Sequence, residues 1–208
     1  MAEGKWIEHP ITAQSFEIID RAIGQHPFDP AEYAIVRRVI HSTADFDFKQ
    51  LLRFSPGAIE NAIAALPKQI PIIVDVNMLK QGVASTIART FGNPLISAID
   101  QAPIALPGKT RTETGLLQCW QKYPDAIFAI GNAPTALIAL CNVLLDAPQK
   151  PTLVIGAPVG FVSVIEAKKQ LTQIAVPQIC VEGRKGGSAV AAAILNALLA
   201  LAWEAAID

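Results

Sequence analysis

His41 is the residue whose type and setting could most directly move a proton. Imidazole titrates near neutral pH and can give or take a proton. Here it ends a helical stretch that contains Arg37 and Arg38, and the polar segment Ser42-Thr43-Ala44-Asp45-Phe46-Asp47 follows it. Asp45 or Asp47 could orient the ring. The competing reading is a plain cap, because a histidine at a helix C-terminus also complements the dipole. His9 and His26 both precede proline in loop contexts and read as structural or surface residues.

A second kind of chemistry is offered by three segments rich in glycine and proline. They are Gly131-Asn132-Ala133-Pro134-Thr135, Gly156-Ala157-Pro158-Val159-Gly160-Phe161 and Gly183-Arg184-Lys185-Gly186-Gly187-Ser188. Glycine lets backbone N–H groups come close to a ligand, and the dipole of a following helix favours negative charge. None of the three matches G-x-G-x-x-G or the P-loop pattern, so the two commonest phosphate fingerprints are missing. Each could be an ordinary tight turn. Together, with Arg184 and Lys185 in one loop and Thr110-Arg111 at another helix start, they favour an anion, and several carboxylates suit them as well as phosphates do. Asp75 and Glu182 stand at strand ends, where acids often line a site, although helix capping explains Asp75 equally well. No G-x-S-x-G elbow, H-E-x-x-H pair or carboxylate cage occurs, so neither a nucleophile nor a metal is expected.

These residues need a scaffold, and the pattern changes near residue 70. Before it the chain reads as helical. Phe16, Ile18, Ile19, Ala22 and Ile23 keep helical spacing and stop at Gly24, and Asp29-Pro30-Ala31-Glu32 starts a second helix running to about Ile40. A third helix starts at Ser55-Pro56-Gly57-Ala58. After residue 70, short β-branched runs at Ile70–Val76, Leu95–Ile99, Ala126–Ile130, Thr152–Ile155 and Gln178–Val181 alternate with helical stretches. Runs apolar at every position belong to strands covered on both faces. The expectation is a single α/β domain over 1–208, mainly helical in 1–66 and alternating in 70–208. Its mainly parallel sheet of about five strands is doubly wound, with the N-terminal helices packed on it. Ligands collect outside the carboxyl ends of such strands, where all three glycine loops would lie.

Composition narrows the function. Of 208 residues 51% are apolar, and 17 Lys+Arg stand against 18 Asp+Glu, so disorder is excluded and a nucleic-acid surface has no electrostatic footprint. Cys119, Cys141 and Cys180 have no C-x-x-C spacing and read as small buried residues in a reducing compartment. Residues 1–14 have no apolar signal region, so a cytoplasmic location is expected. The apolar run Ala189–Trp203 falls short of a membrane span and contains Asn196, which favours a buried or subunit-interface helix and no membrane partner.

Taken in order, the motifs resemble those of the precorrin-8X methylmutases, also called cobalt-precorrin-8 methylmutases, enzymes of cobalamin biosynthesis. They are Arg37-Arg38-Val39-Ile40-His41-Ser42; Val74-Asp75-Val76-Asn77-Met78 with Gly82-Val83; Thr110-Arg111-Thr112; Gly131 to Leu137; Gly156 to Val162; and Gly183 to Ser188. The resemblance spans about residues 9–200. It implies a homodimer of Rossmann-like α/β fold, without a protein-bound cofactor, that moves a methyl group from C-11 to C-12 of a cyclic tetrapyrrole. It also implies that His41 donates and accepts the proton and that Ser15 and Arg38 contact substrate. Contacts at the tetrapyrrole's rim are then expected from Thr110, Arg111, Asn132, Gly160, Arg184, Gly186 and Gly187. Two stretches depart from the family: Glu166-Ala167-Lys168 replaces a common Glu-Ser-Lys, and Ala84-Ser85 stands where some members carry Thr-Arg. Two other functions fit the residues less fully: a nucleotide-dependent oxidoreductase or transferase on a Rossmann-like sheet, and a non-catalytic tetrapyrrole-binding dimer.

Overall fold

All five apolar runs after residue 70 contain a strand, and a sixth strand precedes them. A computed structural model describes residues 9–207. Its strands are β1 (Leu52–Phe54), β2 (Ile72–Val74), β3 (Leu95–Ser97), β4 (Ile127–Ile130), β5 (Leu153–Gly156) and β6 (Gln178–Val181). The helices are α1 (Pro10–Ile23), α2 (Pro30–Thr43), α3 (Phe48–Leu51), α4 (Ala58–Ala65), α5 (Asn77–Arg89), α6 (Ala98–Gln101), α7 (Arg111–Lys122), α8 (Pro134–Leu144), α9 (Val164–Thr172) and α10 (Ser188–Ile207). Together they make an α/β fold around one sheet of order β1-β6-β5-β4-β2-β3, parallel except for β1, which runs antiparallel to β6.

Burial explains the strands. Every residue of β2, β4, β5 and β6 is buried, as a sheet covered on both faces requires. Alternate residues point to opposite sides. Ile72, Val74, Ile127, Ala129, Ile155 and Ile179 join a core with α1, α2, α4, α5 and α10, whereas Ile73, Phe128, Ile130, Val154 and Cys180 join a second core with α7, α8 and α9. Winding reverses between β2 and β4: from β2 the chain goes to β3 on one side and then to β4, β5 and β6 on the other.

The sheet has six strands rather than about five, because β1 gives almost no sequence signal. It is three residues long, and its middle residue, Arg53, is exposed. What holds it is the edge of β6: Leu52, Arg53 and Phe54 face Val181, Cys180 and Ile179, and the Arg53 guanidinium meets Glu182 at 2.7 Å.

The starts of α1, α2 and α7 follow side-chain caps. Asp29 accepts from the amides of Ala31 and Glu32 while Glu32 accepts from Asp29 N–H, a reciprocal capping box behind Pro30. α2 then continues past Ile40 to Thr43. In α10, Val190, Ile194, Leu195, Leu198 and Leu199 are buried in the first core. By length and composition α10 could cross a membrane, yet its apolar side chains are taken up by α2, α4 and α5. Asn196 does not break this packing: its Nδ2 donates to the Gly82 carbonyl at 2.9 Å, where α5 lies close. A Cβ at Gly82 would stand 2.9 Å from that of Ala192, so glycine sets how near the two helices come.

Candidate active site

The end of α2 carries His41 out to an exposed position, with its ring edge against the buried Phe16 of α1 at 5.3 Å between centroids. The Arg37 and Arg38 guanidinium carbons lie 4.3 and 5.7 Å from the same ring. One phenyl group therefore gathers the R-x-x-H segment by cation–π and edge contacts. Behind it, Asp20 accepts from Tyr33 Oη at 2.5 Å and from Arg37 Nη1 at 3.1 Å, tying α1 to α2. Burial, then the hydrogen bond to Asp20, pushes the Tyr33 phenol up to about 12, so it stays a donor. Ser15 precedes Phe16 on α1, its Oγ donating back to the Ile11 carbonyl at 2.8 Å. Arg38 lines a groove of about 310 Å³ with Phe16, Arg37, Ala197, Leu201 and Glu204.

Neither Asp45 nor Asp47 turns to His41. Both carboxylates hold Lys185 Nζ instead, at 2.6 and 2.7 Å. That pairing corrects the expected orientation of the imidazole and brings the third glycine loop against the end of α2. Ser42 Oγ reinforces it with a hydrogen bond to the Ala189 carbonyl at 3.4 Å.

The three glycine loops form one body. Val159 N–H donates to the Gly131 carbonyl, Gly187 N–H to Ala157, and Gly160 N–H to Arg184. A Cβ on Gly131 would stand 2.8 Å from Ser188 Cα, and one on Gly186 only 2.3 Å from the Ala157 oxygen. Gly186 and Gly187 also hold φ of 153° and 122°, a region L side chains rarely adopt. Close approach and positive φ both dictate glycine here. Asn132, Arg184 and the Lys185 side chain stay at the surface of this body, beside the tip residues Phe161 and Val162, which are 87% and 83% exposed.

Asp75 braces the first loop from beneath. Fully buried at the end of β2, its Oδ2 accepts from Asn132 N–H at 2.6 Å and Ala133 N–H at 2.9 Å. Burial raises its pKa, and these amide bonds oppose the shift. The role seen for this strand-end acid is thus to brace a neighbouring loop, and the expected helix cap is not what it forms, since neither α5 nor α8 has a side-chain cap. Glu182, the other one, faces Arg53.

Thr110 and Arg111 stand at the start of α7 and also serve structure. Thr110 forms a capping box with Glu113, and Arg111 donates through Nε to the Ala102 carbonyl and through Nη2 to that of Ile99. Both remain exposed. The structure records no contact between them and the His41 group. The histidines outside the site have structural surroundings: His9 caps α1, and His26 stacks on Tyr33 at 3.9 Å.

The family model for precorrin-8X methylmutase matches residues 10–201, nearly the whole chain. The chain belongs to the precorrin-8X methylmutase family. It is 55% identical to a cobalt-precorrin-8 methylmutase of Synechocystis sp., over 95% of this chain and 98% of the relative. With a precorrin-8X methylmutase of Pseudomonas aeruginosa it shares 38% identity, over 90% of this chain and 93% of the other. The crystal structure of precorrin-8X methylmutase from Thermus thermophilus superposes with a TM-score of 0.86 at 41% identity, covering 95% of this chain and 98% of that one. The methylmutases are isomerases of cobalamin biosynthesis.

Residue types and spacing singled out His41, Arg38 and the glycine loops of this methylmutase but gave no site role to Phe16, Asp20 or Tyr33. Phe16 had a visible signal, an aromatic directly after Ser15 in Ser15-Phe16-Glu17-Ile18-Ile19. The Asp20–Tyr33–Arg37 knot had none, because three ordinary polar residues on two amphipathic helices look the same whether they meet or face water.

Proposed function

We propose that this methylmutase moves a methyl group from C-11 to C-12 of a precorrin-8-type tetrapyrrole, with His41 as general acid and base. The observation that carries the reading is the grouping of His41 and Arg38 on Phe16, one short segment away from the knitted glycine loops. The shift is intramolecular: the bond from methyl to C-11 breaks, the bond to C-12 forms, and the molecular formula is unchanged. It requires a ring held in one geometry and a proton delivered and recovered, not a nucleophile. His41 is exposed on one side and packed on the other, which suits a group that must meet a ring and still keep its direction. Arg38 and Ser15 anchor the substrate, and the groove beside Arg38 is the size of a side arm rather than a macrocycle.

The acetate and propionate arms meet Thr110, Arg111, Asn132, Arg184 and the loop surface at Gly160, Gly186 and Gly187, while apolar tips such as Phe161 cover the ring face. Helices on both faces and the winding reversal beside β2 support a Rossmann-like, doubly wound reading of the sheet. The enzyme acts as a cytoplasmic homodimer on this reading, and relatives named for both the metal-free and the cobalt substrate leave either as its natural one. Incubation with the late precorrin tests the proposal: the visible spectrum should change, and a substrate labelled in the migrating methyl should give product with the label on C-12. Unaltered substrate, or product bound without turnover, would point to the binding module instead.

A further inference from the structure

Lys168 is an ammonium with almost no solvent. It sits on α9, the residue is 3% exposed, and its Nζ donates to the Gly183 carbonyl at 2.9 Å and the Lys185 carbonyl at 2.7 Å. The carbonyl between them, on Arg184, accepts from Gly160 N–H. Three successive carbonyls of a loop with three positive-φ glycines are thus held, two by Lys168 and the middle one by Gly160 N–H. Gly183–Gly187 has little intrinsic preference for one shape, because glycine surrenders the most backbone entropy when ordered. A buried charge is costly unless it is used, and here both bonds are charge-assisted.

The geometry points to Lys168 as a positioning residue that clamps the Gly183–Gly187 loop into the shape presenting Arg184 to the carboxylate arms of the substrate and Lys185 to Asp45 and Asp47. This rests on the tetrapyrrole reading above. The clamp reaches further through Lys185, whose side chain is held by Asp45 and Asp47 just past His41. Burial pushes the Lys168 ammonium down to about 8, with the neighbouring Cys180 acting in the opposite direction. Cys180 and Glu182, from β6 and its end, line the same cleft as Lys168, with Lys169 and Thr172 of α9, and Lys185 meets it through its carbonyl.

The test uses the full chain. Lys168→Met should raise the Kd for the tetrapyrrole about ten-fold or more while kcat at saturation stays within about two-fold, and should speed amide hydrogen exchange at Arg184–Gly187 in the free protein. In the wild type, affinity should fall as pH rises through about 8, and Lys168→Arg, which stays charged, should keep it. Global stability moves the other way. With a folded value below the unfolded one, the folded chain binds fewer protons between about 8 and the ordinary lysine value of 10.5, so the fold gains stability as pH rises there.

A merely structural lysine would give that stability trend, or a lower Tm, with Kd and loop exchange unchanged, and this result overturns the proposal. Should Lys168→Met not fold, the wild-type and Lys168→Arg pH profiles decide. A wild type that neither binds nor converts the tetrapyrrole refutes the functional reading instead, and loop exchange then judges the clamp alone.

Discussion

Lys185 takes both carboxylates that sequence spacing offered to His41, and this changes how the His41 side chain is supported. The imidazole is directed by an apolar edge contact with Phe16, and the acids beside it anchor a loop 140 residues later. Asp45 is held below its usual carboxylate range chiefly by the hydrogen bond from Lys185, then by the Asp47 amide. The tie therefore contributes fully above the ordinary carboxylate value and is lost only as pH falls through the lowered one. Lys185→Ala should move the Asp45 carboxyl titration back up, as read by NMR; an unmoved titration would mean that the pairing is not present in solution. Local sequence placed His41 correctly at a helix end because caps and periodicity are local. It could not show which distant cation would claim Asp45 and Asp47.

At the level of elements, three loops from different strands work as one because glycines allow backbone to touch backbone. Gly186→Ala would set a methyl 2.3 Å from the Ala157 oxygen at φ 153°, so the β5 and β6 loops must part. A cost of about 1–3 kcal/mol is expected for such strain, or a Tm lower by roughly 2–12 °C for a chain of this size, checked by a thermal melt. An unshifted Tm would mean that the loops are not in contact. The strands of the second half were legible because a strand buried on both faces is apolar at every position, which no exposed element imitates. β1 was not, since its strand state comes from the open edge of β6 rather than from its own three residues. The Ala-rich α10 read correctly as a packed helix, and only the structure explains Asn196, by a partner on α5.

Across the whole molecule, a nearly neutral chain separates its apolar and charged residues by placement. Its apolar half is divided between two cores flanking the sheet, while Arg111 comes to a helix start, Arg184 to the exit of β6, and Lys185 is matched by Asp45 and Asp47. Composition alone ruled out disorder but was silent on this, since a net charge of −1 does not show where the charges fall. The same arrangement suits a reaction needing no group beyond a placed ring and one proton. General acid–base groups contribute about 10²- to 10⁴-fold, and His41 is the residue assigned that share here. His41→Ala, incubated with the late precorrin under the visible spectrum and titrated for binding in parallel, tests this most directly. The variant should fold and bind the macrocycle with near wild-type affinity while converting it at least about a hundred-fold more slowly. Turnover at the wild-type rate would contradict the account.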